Sequence, residues 1–242
     1  MLRLVVFLYL LFGLNALYAA KLPALRITHL TGNFFVYTTY QVFEGTPFPA
    51  NGMYLVTAEG AFMFDTPWDT TQFQPLLDSI QLKHGVKVVG AIATHNHEDR
   101  TAGLQYYRQQ GIKTYTTFKT DSISRIKGEK RAEFLLTKDT TFRLGGYSFQ
   151  TYYPGAGHTV DNIVVWFPEQ KILYGGCFVK SCEAGNLGNI SEANLQEWPT
   201  SINNVVSFFP EPAYVIPGHQ SWESKKSLQH TLKLLRKNKN KR

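Results

Sequence analysis

Seven histidines and two cysteines are spread over this 242-residue chain, and several of them fall into a metal-binding pattern. The densest segment is Thr94-His95-Asn96-His97-Glu98-Asp99-Arg100, directly after an apolar run. In a loop leaving a strand, imidazoles at i and i+2 can converge on one ion, while a carboxylate at i+4 reaches a neighbouring one. Zinc favours such a mix of nitrogen, sulfur and carboxylate ligands. Three more candidates sit in similar surroundings: His158 in Pro154-Gly155-Ala156-Gly157-His158-Thr159, Cys177 in Tyr174-Gly175-Gly176-Cys177, and His219 in Ile216-Pro217-Gly218-His219. Each follows an expected strand and one or two glycines, as a loop does when it must bring a ligand close. Singly, each also reads as a hydrogen-bonded loop histidine or a buried apolar cysteine. Together with His95, His97 and Asp99 they make six ligands, enough for two four-coordinate zinc ions completed by water.

Those ligands need strand ends to hold them. Short β-patterned runs come first, at residues 24–29, 34–40, 53–57 and 61–65, and a helix is expected over about 70–83. Pro75 lies near that helix's first turn, where a missing N–H costs little. Residues 86–94 form an apolar strand, followed by a loop and a helix over about 102–110 that Gly111 stops. A strand near 112–116 and a helix near 118–126 follow. Strands begin again at 141–144 and 147–152, flanking Gly145-Gly146, a hairpin signature. Another turn, Pro168-Glu169-Gln170, separates strands at 163–167 and 171–174. Helices are expected over about 195–207 and 225–235, with a strand at 213–216 between them. Two successive blocks of strands then helices indicate an α+β fold.

Composition closes off other classes. Apolar residues make up 43% and charged residues 18%, which excludes intrinsic disorder. The net charge of +7 resembles a nucleic-acid signal until it is located: eight lysines and arginines crowd into residues 225–242. The remainder is close to neutral, so no nucleic-acid partner is expected. The tail from about residue 237 is expected to be a disordered basic end. Two cysteines five positions apart cannot build a disulfide framework, and Cys182 reads as a bystander thiol. Residues 1–20 carry one arginine, an apolar run and then small residues, the order of a secretory signal cleaved near Ala19 or Ala20. That apolar run is too short for a stable membrane anchor. The expected mature product is a periplasmic, monomeric, single-domain protein over residues 21–242.

From about Leu25 to Leu235 the chain resembles the class B β-lactamases, in the subclass with a three-histidine site beside an Asp-Cys-His site. The matching stretches are Asp65-Thr66-Pro67-Trp68, His95-Asn96-His97-Glu98-Asp99-Arg100, Gly157-His158-Thr159, Gly176-Cys177-Phe178-Val179-Lys180-Ser181, Leu187-Gly188-Asn189 and Pro217-Gly218-His219. The resemblance implies a four-layer αβ/βα sandwich with the metals at one edge of its two sheets. It also implies that His95, His97 and His158 hold one zinc, and Asp99, Cys177 and His219 a second. Most other hydrolases of that fold read HxHxDH and use a bridging aspartate. Here Arg100 replaces the last histidine and Cys177 stands where that carboxylate would be. Metal ligands usually have outer partners, so Arg100 reads as one beside Cys177 or Asp99, with a plain surface cation as the alternative.

The implied activity is hydrolysis of the β-lactam amide bond of penicillins, cephalosporins and carbapenems. It needs metal-activated water rather than a covalent serine intermediate. By the same likeness Asp99, Lys180 and Asn189 take part in the reaction, with Lys180 gripping the substrate carboxylate and Asn189 assisting at the carbonyl oxygen. Residues 41–52 would be a mobile flap, whose Phe43 and Phe48 could stack on substrate or pack as core aromatics. Trp68 is assigned to packing. His29, His84 and His230 lack the loop setting and are expected to be structural or exposed. Two other readings remain open at this stage: a lactonase or thioesterase of the same fold, and a secreted zinc-binding protein without catalysis.

Overall fold

Alternation along the strands decides the architecture of residues 22–240, the residues that the computed structural model describes. The expected leader lies outside them. Strands β1 (Arg26–Thr31), β2 (Phe34–Phe43), β3 (Thr46–Thr57) and β4 (Gly60–Phe64) pair antiparallel in sequence order. Helix α1 (Phe73–His84) returns the chain to β5 (Val88–Ile92), parallel to β4. Short helices α2 (Glu98–Thr101) and α3 (Leu104–Gln109) lead to β6 (Lys113–Thr117), and α4 (Phe118–Lys127) leads to β7 (Phe134–Leu136), both parallel additions. A second sheet runs β12-β11-β10-β9-β8. It comprises β8 (Thr141–Leu144), β9 (Tyr147–Tyr152), β10 (Val164–Phe167) and β11 (Ile172–Gly176), with β12 (Tyr214–Pro217) parallel to β11 after helix α5 (Trp198–Phe208). Helix α6 (Ser227–Lys239) follows.

On β2, Phe34 and Val36 face the second sheet and meet Phe149, Val165, Phe167 and Ile172 in a buried layer. Their neighbours Phe35 and Tyr37 face the other way, onto Leu76 and Ile80 of α1 and Tyr107 of α3. The second sheet does the same, burying Val164, Trp166 and Leu173 against Ile202 and Val205 of α5 and Leu228 of α6. Each such side chain contributes about 1.5–3 kcal/mol by leaving water. The result is helices, sheet, sheet, helices, the four layers implied by the resemblance.

Three local expectations need correction, and one short strand was not expected. Residues 41–52 are not a loop: β2 and β3 pair continuously to Phe43↔Thr46 at the tip, so Phe43 and Phe48 stand on strands. Pro47 and Pro49 are tolerated because β4 pairs with β3 only from Met53 onward, leaving that side of β3 without a strand neighbour, where His219 Nδ1 bonds the Pro49 carbonyl at 2.7 Å. The helix placed over 102–110 starts later, as α3, and a separate short helix, α2, occupies the expected loop before it; between them the Gly103 N–H bonds to Thr66 Oγ1 at 2.9 Å. β7 is three residues long and carries no readable alternation. Helix α6 runs to Lys239, past residue 237, where the disordered end was expected to begin.

Candidate metal centre

All six expected donors lie at one edge of the two sheets. His95 follows β5, Asp99 is in α2, His158 sits between β9 and β10, Cys177 follows β11 and His219 follows β12. Two glycines permit this approach. Gly176 turns the chain at φ +52°, a left-handed conformation costly for other residues. A Cβ on Gly218 would lie 2.7 Å from the Cys177 nitrogen and 2.9 Å from the Arg100 guanidinium. The three imidazole rings of His95, His97 and His158 stand mutually edge-on with centres 4.8, 5.0 and 4.9 Å apart. His97 Nδ1 and His158 Nε2 face each other at 3.2 Å. On the other side Cys177 Sγ lies 3.3 Å from Asp99 Oδ2 and 3.2 Å from His219 Nε2. Donor atoms of Asp99, Cys177 and His219 all lie within 4.8 Å of one another. The same holds for His95 with His97 and Asp99, and for His95 with His158 and Cys177. The six residues therefore form one continuous cluster, within which Asp99, Cys177 and His219 make up one compact set.

Arg100 organises the second half. Its side chain is 1% exposed, and its guanidinium donates to Asp99 Oδ2 at 2.9 and 3.1 Å. It also donates to Asp65 Oδ2 at 3.2 Å and to the carbonyls of Asn51 and Gly218 at 2.7 and 2.9 Å. Asp65 adopts φ +65°, which aspartate tolerates better than most residues. It accepts from the Thr94 N–H at 2.7 Å and from the Tyr174 hydroxyl at 2.7 Å, tying β4, β5 and β11 behind the site. Burial alone would raise the Asp99 pKa, but Arg100 and His219 outweigh it and hold the carboxyl well below its ordinary range. Arg100 thus stands beside Asp99, as the outer-partner reading required.

Lys180 is 9% exposed, more buried than a partly solvated carboxylate grip would be. Its Nζ lies 5.5 Å from the Trp198 ring centre, and among the described residues it pairs with no carboxylate. Burial lowers its pKa, with Cys177 and Asp99 opposing. The ammonium sits beside Gly188, one residue from Asn189. Asn189 is exposed, and its Oδ1 accepts from the Ser191 N–H and hydroxyl, leaving Nδ2 as a spare donor. At the hairpin, Phe48 lies 5.1 Å from the His219 ring. Phe43 is 48% exposed and touches both Phe48 and Trp68, with ring centres 6.1 and 6.2 Å away. Trp68 is half-buried there, so it packs against the arm rather than in the core.

Sequence reasoning missed Glu192 and Lys127. Glu192 Oε2 lies 3.4 Å from His97 Nε2, and Lys127 binds the other carboxylate oxygen. No metal-site motif marks either residue. The chain does contain one S-x-x-K tetrad, Ser124 to Lys127, but it forms no serine–lysine pair. Ser124 Oγ is buried without a partner, while Lys127 Nζ bonds to Asn96 and Glu192. The remaining histidines make structural bonds: His29 to the Gly32 carbonyl, His84 to the Tyr54 hydroxyl, His230 to the Ala184 carbonyl. Cys182 is exposed and free.

The donor set fits a metal. His95 Nε2 and His158 Nδ1 are buried with no hydrogen-bond partner, an unfavourable state for polar atoms unless something else binds nearby. Burial pushes the Cys177 thiol up, with Arg100 opposing, so this pocket favours a neutral thiol unless a cation is present. Nitrogen, thiolate and carboxylate together suit a borderline transition ion.

Comparison with known proteins agrees. Residues 45–236 match the family model described as the metallo-beta-lactamase superfamily. The chain is 44% identical over 223 residues to a metallo-beta-lactamase type 2 of Elizabethkingia meningoseptica, covering 92% of this chain and 89% of that protein. It is 41% identical to metallo-beta-lactamase IND-1 of Chryseobacterium indologenes, covering 86% of this chain and 87% of that one. A solved metallo-beta-lactamase from Pontibacter korlensis superposes with a TM-score of 0.85 at 35% identity, over 88% of this chain and 99% of that one. With the four-layer fold and the convergent histidine, aspartate and cysteine donors, these matches place the chain in the metallo-beta-lactamase superfamily, among its class B β-lactamases.

Proposed function

We infer that the protein is a β-lactamase that uses two zinc ions to hydrolyse the amide bond of penicillins, cephalosporins and carbapenems, giving resistance to them. The observation that carries this reading is the six-donor cluster with an unpaired, buried lysine beside it. His95, His97 and His158 would hold one ion, and Asp99, Cys177 and His219 the other. When bound, the ions supply activated water at neutral pH and draw off charge from the carbonyl and the departing nitrogen.

The chain's own residues do the rest. Bicyclic β-lactams carry a carboxylate next to the ring nitrogen, and Lys180 offers an ammonium with no competing acid partner. Its backbone N–H is fixed by Thr231 Oγ1 at 2.8 Å, so the residue is anchored from behind. Asn189 Nδ2 is free to donate to the lactam carbonyl oxygen, because its own Oδ1 is held by Ser191. Asp99 stays ionised under Arg100 and keeps its ligand oxygen in place. Phe43 and Phe48 form an apolar wall beside His219 that would contact substrate and keep out bulk water. Residues 1–20 would direct export to the periplasm and be removed there, where the protein would act as a monomer. No described helix is long and apolar enough to cross a membrane.

A panel of a chromogenic cephalosporin, a penicillin, a thioester and a lactone distinguishes this reading from its fold relatives. Zinc-loaded protein should turn over the first two and neither of the others. Turnover of the thioester or lactone alone would overturn it, and no turnover of any substrate would favour zinc binding without catalysis. Intact mass of exported protein should show a chain beginning near Lys21; a retained leader would contradict the export reading.

A further inference from the structure

The three-histidine half of the site is wired to a cation that no metal-site motif marks. Lys127 is the last residue of α4, and its Nζ donates to Asn96 Oδ1 at 2.7 Å and to Glu192 Oε1. Asn96 lies between His95 and His97, and its Nδ2 donates to Asp161 Oδ1 at 2.8 Å, in the loop that carries His158. Asn96 and Asp161 are both fully buried. The second oxygen of Glu192 faces His97 Nε2 at 3.4 Å. One ammonium therefore joins α4, the His95–His97 turn and the 177–197 loop, and reaches the His158 loop through Asn96.

A neutral imidazole carries its proton on one nitrogen and its metal-binding lone pair on the other. If Glu192 accepts the Nε2 proton of His97, the lone pair is left on Nδ1. That is the nitrogen 3.2 Å from His158 Nε2, inside the donor cluster. Glu192 is on an exposed loop, where a free carboxylate would sample many rotamers. Lys127 removes that freedom. It also holds the backbone between the two histidines through Asn96.

We propose that Lys127 is a positioning residue for the three-histidine site, acting through Glu192 and Asn96 to fix the tautomer of His97 and so to present its Nδ1 to the metal. This inference rests on the metal-site reading above, but its first test does not need a metal. Long-range nitrogen–proton NMR correlations of the metal-free protein at pH about 8, where an ordinary imidazole is neutral, report which ring nitrogen carries the proton. Wild type should show His97 protonated at Nε2. Lys127→Met should show a mixture, and Lys127→Arg should restore the wild-type state.

The second readout is metal affinity, site by site. In cobalt-substituted protein the thiolate-to-cobalt charge-transfer band reports the Cys177 half, and the ligand-field bands report the histidine half. Chelator competition should show Lys127→Met weakening the histidine half by about 10- to 100-fold, as loss of an outer partner does. The charge-transfer band and the melting temperature of the metal-free protein should not move. Glu192→Gln should reproduce the effect, and adding Lys127→Met to it should weaken the site little further. An unchanged His97 tautomer in both Lys127→Met and Glu192→Gln would overturn the inference, as would equal weakening of both halves. Failure of wild type itself to bind metal would refute the site reading instead, and the metal-free NMR comparison would still decide the role of Lys127.

Discussion

At the scale of single residues, Lys180 and Cys177 separate the roles most cleanly. Lys180 is buried and among the described residues forms no ion pair with a carboxylate, so its ammonium is open to an arriving anion. A charge-assisted contact of this kind contributes about 1.5–3 kcal/mol, roughly ten- to a hundred-fold in kcat/KM. Lys180→Ala should lose that factor on penicillins and cephalosporins with zinc content unchanged, and Lys180→Glu should be worse. Steady-state kinetics on metal-replete protein check this; wild-type kcat/KM in Lys180→Ala would remove Lys180 from the substrate site. Cys177→Ser replaces a thiolate with a hydroxyl in one half while leaving the three histidines intact, so that half should lose affinity first. Equilibrium dialysis against increasing chelator measures it, and equal loss from both halves would contradict the partition. The six candidate donors were legible because three share the HxHxD spacing and three are distinctive residue types after a strand and a glycine. Arg100 was legible through its place in the HxHxD segment. Lys127, Glu192 and Asp161 were not, because lysines and acids are common and their meeting depends on the end of α4 and two loops from distant parts of the chain.

At the scale of elements, the β2–β3 arm shows where local patterning fails. Gly45, Pro47 and Pro49 read as a loop, and only the missing neighbour beyond Asn51 makes them compatible with a strand. Phe43 and Phe48 therefore stand on a paired hairpin rather than an unpaired loop, beside Trp68 and His219. Aromatic contacts of this kind contribute about 0.5–1.5 kcal/mol, so Phe48→Ala should raise KM roughly two- to tenfold at constant zinc content, with kcat little affected. A fall in kcat at unchanged KM would place Phe48 in the chemistry and contradict the wall assignment. The alternating strands elsewhere were legible to within a few residues because each buries one set of side chains between the sheets and the other under helices. β7 was not, since three residues carry no period.

At the scale of the whole molecule, the site and the fold share one buried electrostatic framework. Arg100 and Asp65 link β4, β5, β11 and the approach to β12, with no solvent to screen them. Removing one partner of a buried ion pair costs about 3–5 kcal/mol, so Arg100→Ala should lower the metal-free protein's unfolding free energy by that order in urea melts. A change near zero would show that the framework serves only the metal. Zinc should raise the melting temperature of wild type, because a ligand at one hundred times its Kd adds about 2.7 kcal/mol. The α+β class was legible in the two blocks of strands and helices, and the four layers only through the family resemblance. This framework was not, since it joins Asn51, Asp65, Arg100, Tyr174 and Gly218 across both sheets. Hydrolysis rate and bound zinc per chain, measured together in one cephalosporin assay as zinc is returned to chelated protein, test the central claim most directly. The expected result is no turnover without metal and a rate that rises with zinc toward two ions per chain; full activity in zinc-free protein would contradict it.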